Sequence, residues 1–285
     1  MLIRSEKNFG TLKNDQYVIT SRVLLFTVTG IISLLLWTCN APPTSGETAS
    51  PDLVIYCENG ILGPIKEITN LFEKQSGLNI DIQNDCARNL TSLIHYRREA
   101  DIFIPDTRQA IDNILLSDPK MIADSAFLGF QTLVFMVPKN NPSLFDGQLT
   151  TLPSPDQAII LANPESSTLG LVTGRLLQNH GLYDQVMNSI VLLTTDSRGL
   201  IRNLVSGQAS VAIGWRSDYL SNHARMKIDT LSIASNDKYF EAMAVILRDA
   251  PNSQNAKIFL NLLKSRTSKK LLKKYGIDDF RISHF

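Results

Sequence analysis

Apolar and polar positions along this chain switch repeatedly between a strand period and a helix period, and the switches outline an α/β protein. Residues 23–37 form a predominantly apolar run without a charge, preceded by Arg22 and ended by Thr38 and Cys39. Residues 53–56 are apolar on both faces, as a buried parallel strand requires, and the turn ENG follows at once. Ile61, Ile65, Ile68, Leu71 and Phe72 then recur at helical spacing, up to Gly77 as a C-terminal cap. A second strand over 78–82 runs into the polar loop QNDCARN, a second helix carries Leu90, Leu93, Ile94 and Arg97, and a third strand over 101–104 ends at Pro105. This β-α-β-α-β order predicts a parallel sheet with right-handed crossovers.

Strands are next predicted over 132–137, 158–161, 189–193, 210–214 and 242–247. The loop ANPESSTLG opens a helix that stops at Gly181, DSRGLIRNLVSGQ reads as a capped helix, and 252–275 reads as two helices, the second strongly basic. Two α/β lobes follow. The leading apolar run is about five residues short of a bilayer-spanning helix. Ending at a cysteine and followed by NAPPTSGETAS, it resembles a bacterial lipoprotein signal, which predicts cleavage before Cys39 and acylation of that residue. Leu36, Trp37 and Thr38 depart from the usual small residues of such a box. Cleaved or retained as an anchor, the segment places the globular part outside the cytoplasmic membrane, in the periplasm or on the cell surface. The expected division is a signal at 1–38, a flexible tether at 39–51, one lobe from 52–132 and 235–285, and a second lobe from 133–234.

A net charge of +1 gives no reason to expect nucleic acid, and 44% hydrophobic residues suffice for well-formed cores, so a small-molecule partner is expected. The four histidines form no metal-binding spacing, with His95 read as an ordinary helix histidine, and no metal or cofactor is expected. Neither a nucleophile elbow nor a phosphate or dinucleotide loop is present, so the protein is not read as an enzyme. Setting Cys39 aside leaves Cys57 and Cys86, for which a disulfide, two free buried thiols, or a metal or redox pair are all open.

Four stretches carry a resemblance: LVIYCENGILGPIKEITNLFEKQSGLNI; READIFIPDT; VFMVPKNNP; and SGQASVAIGWRSD with the terminal RDAPNSQNAKIFLNLLKSRTSKKLLKKYGI. They resemble the extracytoplasmic solute-binding proteins of ABC importers, especially the molybdate-binding branch of the type II periplasmic-binding fold. The resemblance implies two lobes of parallel-rich sheet flanked by helices, a ligand cleft between them, a monomer, an ABC permease as partner, and a small anion, foremost a molybdate-like tetrahedral oxyanion. Loops at strand-to-helix junctions in such folds favour anions. Carried onto this chain, the implied ligand residues are Asn59, Gly60, Cys86, Arg88, Ser167, Thr168, Arg198 and Trp215. Several have plainer readings: Arg88 as a solvated helix start, Ser167 and Thr168 as a helix cap, Trp215 as core packing, and the basic run 264–274 as a solvated face. The chain departs from the family where Gly60 replaces a serine, Asp85 and Arg88 replace a serine-rich loop, and Trp215 replaces a tyrosine. Those departures motivate a different reading, a sensor or adhesin lipoprotein of the same fold that binds an organic solute or no transported ligand.

Overall fold

The computed structural model describes residues 50–221 and 223–279; Cys39 and the leading apolar run lie outside the described residues. The first sheet begins with β1 (Leu53–Glu58), β2 (Ile80–Asp85) and β3 (Ile102–Ile104), where β1 lies between the other two and is parallel to both. The helices α1 (Leu62–Ser76), α2 (Ala87–Tyr96) and α3 (Arg108–Ser117) provide the crossovers. Gly77, left-handed at φ 73°, caps α1 as its sequence position predicts. β2 begins and ends later than expected. At the sheet edge it is half-buried throughout, so Gln83, Asn84 and Asp85 extend the strand where an interior position would demand apolar residues.

β4 (Ile122–Pro138) belongs to both sheets. Its first part, through Thr132, pairs antiparallel with β9 (Tyr239–Leu247), which joins it to β3. From Leu133 onward it pairs antiparallel with β7 (Val211–Trp215) and β8 (Ile228–Ser232). Beyond β7 the second sheet continues in parallel to β5 (Ile159–Ala162) and β6 (Ile190–Thr194). Around it run α4 (Thr168–Asn179), α5 (Tyr183–Ser189), α6 (Ser197–Val205) and the short α7 (Arg216–Ser221), while α8 (Ser253–Leu263) and α9 (Arg266–Lys274) return to the first sheet. Each sheet therefore contains a parallel trio, and the shared β4 with β8 and β9 supplies the antiparallel pairs. Among the described residues no helix is long and apolar enough to cross a membrane.

Three buried clusters hold this arrangement together. One fills the second lobe around Phe135, Val211 and Trp215, and the other two cover opposite faces of the first sheet. All lie within Pro51–Phe285, which forms one compact unit, so this part carries its own cores and folds by itself.

The clusters also explain the cysteines. Cys57 and Cys86 are both free and buried, so the disulfide considered from the sequence is not formed. Opposite Cys57 in the ladder stands Asn84, two residues short of Cys86. Cys57 points with Leu53 and Ile55 to the face packed by α1, whereas Cys86 begins α2, which packs with Val54 and Tyr56 on the other face. Burial raises both thiols above the ordinary range, and nearby carboxyls add to the effect. Accordingly, the Pro51–Phe285 unit should melt at the same temperature with and without dithiothreitol. A chromogenic disulfide reagent should titrate two thiols only after denaturation; a reductant-sensitive melt would contradict the arrangement.

Candidate functional site

The ends of six strands meet in one seam because β4 lays the two parallel trios against each other. From the first lobe come Glu58 at the end of β1, the Asp85–Ala87 turn after β2, and Asp106 after β3. The second lobe sends the Ser167 turn after β5, Asp196 after β6, and Trp215 with Ser217 after β7. Carboxyl ends of parallel strands are where such sheets bind ligands.

Four contacts tie the seam from one lobe to the other. Thr168 donates its N–H to Glu58 Oε1 at 3.1 Å and its hydroxyl to Glu58 Oε2 at 2.6 Å. Trp215 Nε1–H donates to Asp106 Oδ2 at 3.0 Å. Asn59 Nδ2 donates to Asp196 Oδ2 at 3.1 Å, and the Asn59 carbonyl oxygen of the side chain accepts from Asn84 at 2.7 Å. Ser217 Oγ lies 2.7 Å from Gly60 O, with Gln131 Oε1 also in reach. Gly60 is needed here, since a Cβ would stand 2.3 Å from Trp215 Cδ1 and 2.6 Å from Asp106 Oδ2.

The seam is acidic. Glu58, Asp106 and Asp218 are all buried. Burial lifts Glu58 above the ordinary glutamate range, opposed by the donors from Thr168, Asp106 and Ala87. Asp106 is pushed well upward by burial and then by the charge of Glu58 and Asp218, against the Trp215 and Gly60 donors, and its Oδ1 has no partner. Burial raises Asp218 to about 7; Ser197 faces it closely enough to oppose the shift, although the hydroxyl falls short of hydrogen-bond geometry. Buried like charges of this kind disfavour ionisation of one another.

Beside the seam opens a groove of about 320 Å³ between the start of α2, α3 and the start of α4. Arg88, Ser166, Ser167 and Thr168 form part of its wall, with Glu165 at the rim. Ser167 caps α4, its hydroxyl accepting from Gly170 N–H at 3.1 Å. The Arg88 guanidinium makes no ion pair among the described residues, while its backbone N–H donates across the lobes to Ser166 O at 3.2 Å. No cluster of His, Cys, Asp or Glu among the described residues is disposed to hold a metal ion.

Thus the sequence-based candidates divide. Arg88, Ser167 and Thr168 come together at the groove. Asn59, Gly60 and Trp215 lie behind it in the seam, with Trp215 wholly buried and edge-on to Phe240. Cys86 sits buried as the residue capping α2. Arg198 is outside the groove wall and pairs at 3.2 Å with Asp196 of the seam, the carboxylate that also accepts from Asn59. Reading the sequence identified the turn that contains Glu58 but singled out neither Glu58, Asp106 nor Asp218. Their signal was position, a carboxylate directly after a buried strand or at the start of the following helix.

This fold, with its interlobe site, defines a solute-binding protein of the periplasmic type. The chain belongs to the bacterial extracellular solute-binding proteins, whose family model matches residues 53–278. It is 23% identical over 248 residues to YvgL of Bacillus subtilis (strain 168), named as a candidate ABC transporter substrate-binding lipoprotein, covering 85% of this chain and 93% of that one. Among solved structures, the periplasmic molybdate-binding protein of Azotobacter vinelandii superposes with a TM-score of 0.67 at 18% identity, over 79% of this chain and 97% of the other. Campylobacter jejuni Peb3, solved with L-phospholactate, superposes with a TM-score of 0.65 at 20% identity, over 80% and 100%. These identities establish a shared fold. The solute is a matter for the site itself.

The carboxyls of the seam give a pH signature. Asp218 titrates near 3.8 in an ordinary setting and at about 7 here, so between those values the folded protein binds more protons than the unfolded chain. Its contribution to stability is therefore greatest at low pH and falls as pH rises through about 7; Glu58 and Asp106, shifted in the same direction, add to the trend. Asp218→Asn should melt about 3–6 °C above the wild type at pH 8 and close to it at pH 4.5. Parallel melting curves of the two proteins across that range would refute the assignment.

Proposed function

We propose that the protein is the solute receptor of an ABC importer, held outside the membrane through Cys39, and that it closes its two lobes over a small solute bearing an anionic group. The observation that carries this reading is the Arg88 guanidinium, without an ion pair among the described residues, on the wall of an interlobe groove beside the N-terminus of α4. Guanidinium and helix-terminal N–H groups together suit a carboxylate or phosphate. Closure about β4, the strand common to both sheets, would exclude water from the solute and present both lobes to a permease. Mechanistically this is capture and release, with no bond made or broken.

Between the two ligand classes raised by the sequence, the acidic seam favours an organic anion over a bare tetrahedral dianion. Glu58, Asp106 and Asp218, protonated or not, place no cation beside a doubly charged ion set among them, whereas a larger solute can keep its single anionic group at Arg88 and its remainder in the groove. The phospholactate bound by Peb3 shows that this fold accommodates such solutes.

A thermal-shift screen of the Pro51–Phe285 unit with molybdate, tungstate, sulfate, phosphate and small organic acids and phosphate esters tests this. One organic anion should raise the melting temperature by several degrees at saturation, and Arg88→Ala should weaken its binding about 10- to 100-fold. A cooperatively folded protein that responds to none of them would instead support a sensor or adhesin role.

A further inference from the structure

Glu58 receives a set of donors that a protein ordinarily reserves for a bound anion. Its carboxylate is 1% exposed and touches no lysine or arginine. Thr168 N–H reaches Oε1 at 3.1 Å, Thr168 Oγ reaches Oε2 at 2.6 Å and Asp106 N–H reaches Oε2 at 2.9 Å, while the Ala87 N–H adds to them. Ala87 and Thr168 are the first residues of α2, ten residues long, and α4, twelve residues long, so two helix N-termini from opposite lobes converge on one carboxylate. Backbone N–H groups can only donate, and burying three of them around a point requires an acceptor there.

We propose that Glu58 is a specificity-determining residue, its carboxylate the resident occupant of an anion slot shared by the two lobes. A free inorganic oxyanion is thereby kept out of the slot, and a solute's anionic group is confined to the neighbouring groove at Arg88. The inference rests on the interlobe site proposed above, but its test needs no natural solute. Removing the Glu58 head should leave a cavity of carboxylate size with its donors in place. Because Asp106 and Asp218 border this region, the vacated slot should prefer a small monoanion, with formate the closest in shape to what was removed.

The experiment compares wild type, Glu58→Ala and Glu58→Gln in the Pro51–Phe285 unit, by melting temperature and by tryptophan fluorescence. Trp215 is the sole tryptophan of this unit, since the chain's other one is Trp37, and it is bonded to Asp106 beside the slot. E58A should melt several degrees below the wild type with a red-shifted emission. Sodium formate in the millimolar range, at ionic strength held constant with sodium chloride, should restore at least half of both changes. Wild type and E58Q should not respond to formate. E58Q should also melt several degrees low, because its amide NH2 cannot satisfy the N–H donors that the second carboxylate oxygen serves. A folded E58A indifferent to formate, a wild type stabilised by formate as strongly as E58A, or an E58Q identical to wild type would each overturn the proposal. Should E58A fail to fold, the E58Q comparison decides it. A wild type that binds no organic anion while E58A takes up formate would defeat the transport reading and leave this one standing.

Discussion

The constraint on which the rest of the structure depends is that β4 is a single strand in two sheets. Its residues before Leu133 are bonded to β9 and those from Leu133 onward to β7 and β8. Neither lobe can form its sheet without fixing the direction of the other. The parallel trios on either side therefore present their carboxyl ends to one seam, and the helices that follow those strands aim their N-termini into it. The positive potential of the seam and its hydrogen-bond donors are consequences of topology before any particular side chain is considered.

This chain meets that potential with its own side chains. Carboxylates from within the protein occupy much of it: Glu58 takes donors from three segments, Asp196 caps α6 while holding Asn59, and Asp106 accepts from Trp215. These contacts join the lobes, so side chains that set the character of the site also hold it closed. Burial of the acids makes that closure sensitive to proton concentration. The groove at Arg88 is left as the exposed remainder, and the reading proposed above puts solute recognition there rather than in the seam.

Much of this was legible in the sequence where burial is local. β1, β5 and β7 are covered on both faces and read as short apolar runs, and α1 declares itself by spacing and by Gly77. The first half of β4 was not legible. It is exposed at alternate and neighbouring positions, and its short apolar stretch at 126–130 is interrupted by Gly129 and followed by the buried polar Gln131, so it reads neither as a regular alternation nor as a buried strand. α3 was likewise unmarked, lacking a capping side chain that hydrogen-bonds at its start. The site was only half visible for a related reason. Arg88, Ser167 and Thr168 stand at recognisable turns, but the burial of Glu58 depends on donors 48 and 110 residues away, and no local pattern encodes such a meeting.

Gly60 bears on how this receptor can change over time. A serine at position 60 of this chain would collide with both Trp215 and Asp106. That substitution alone would damage the interlobe Trp215–Asp106 bond before its hydroxyl could serve a solute. A hydroxyl at this point requires residues 60, 106 and 215 to change together. Positions 60, 106 and 215 are thus coupled, so the floor behind the groove changes only by concerted substitution, while its exposed rim accepts single substitutions.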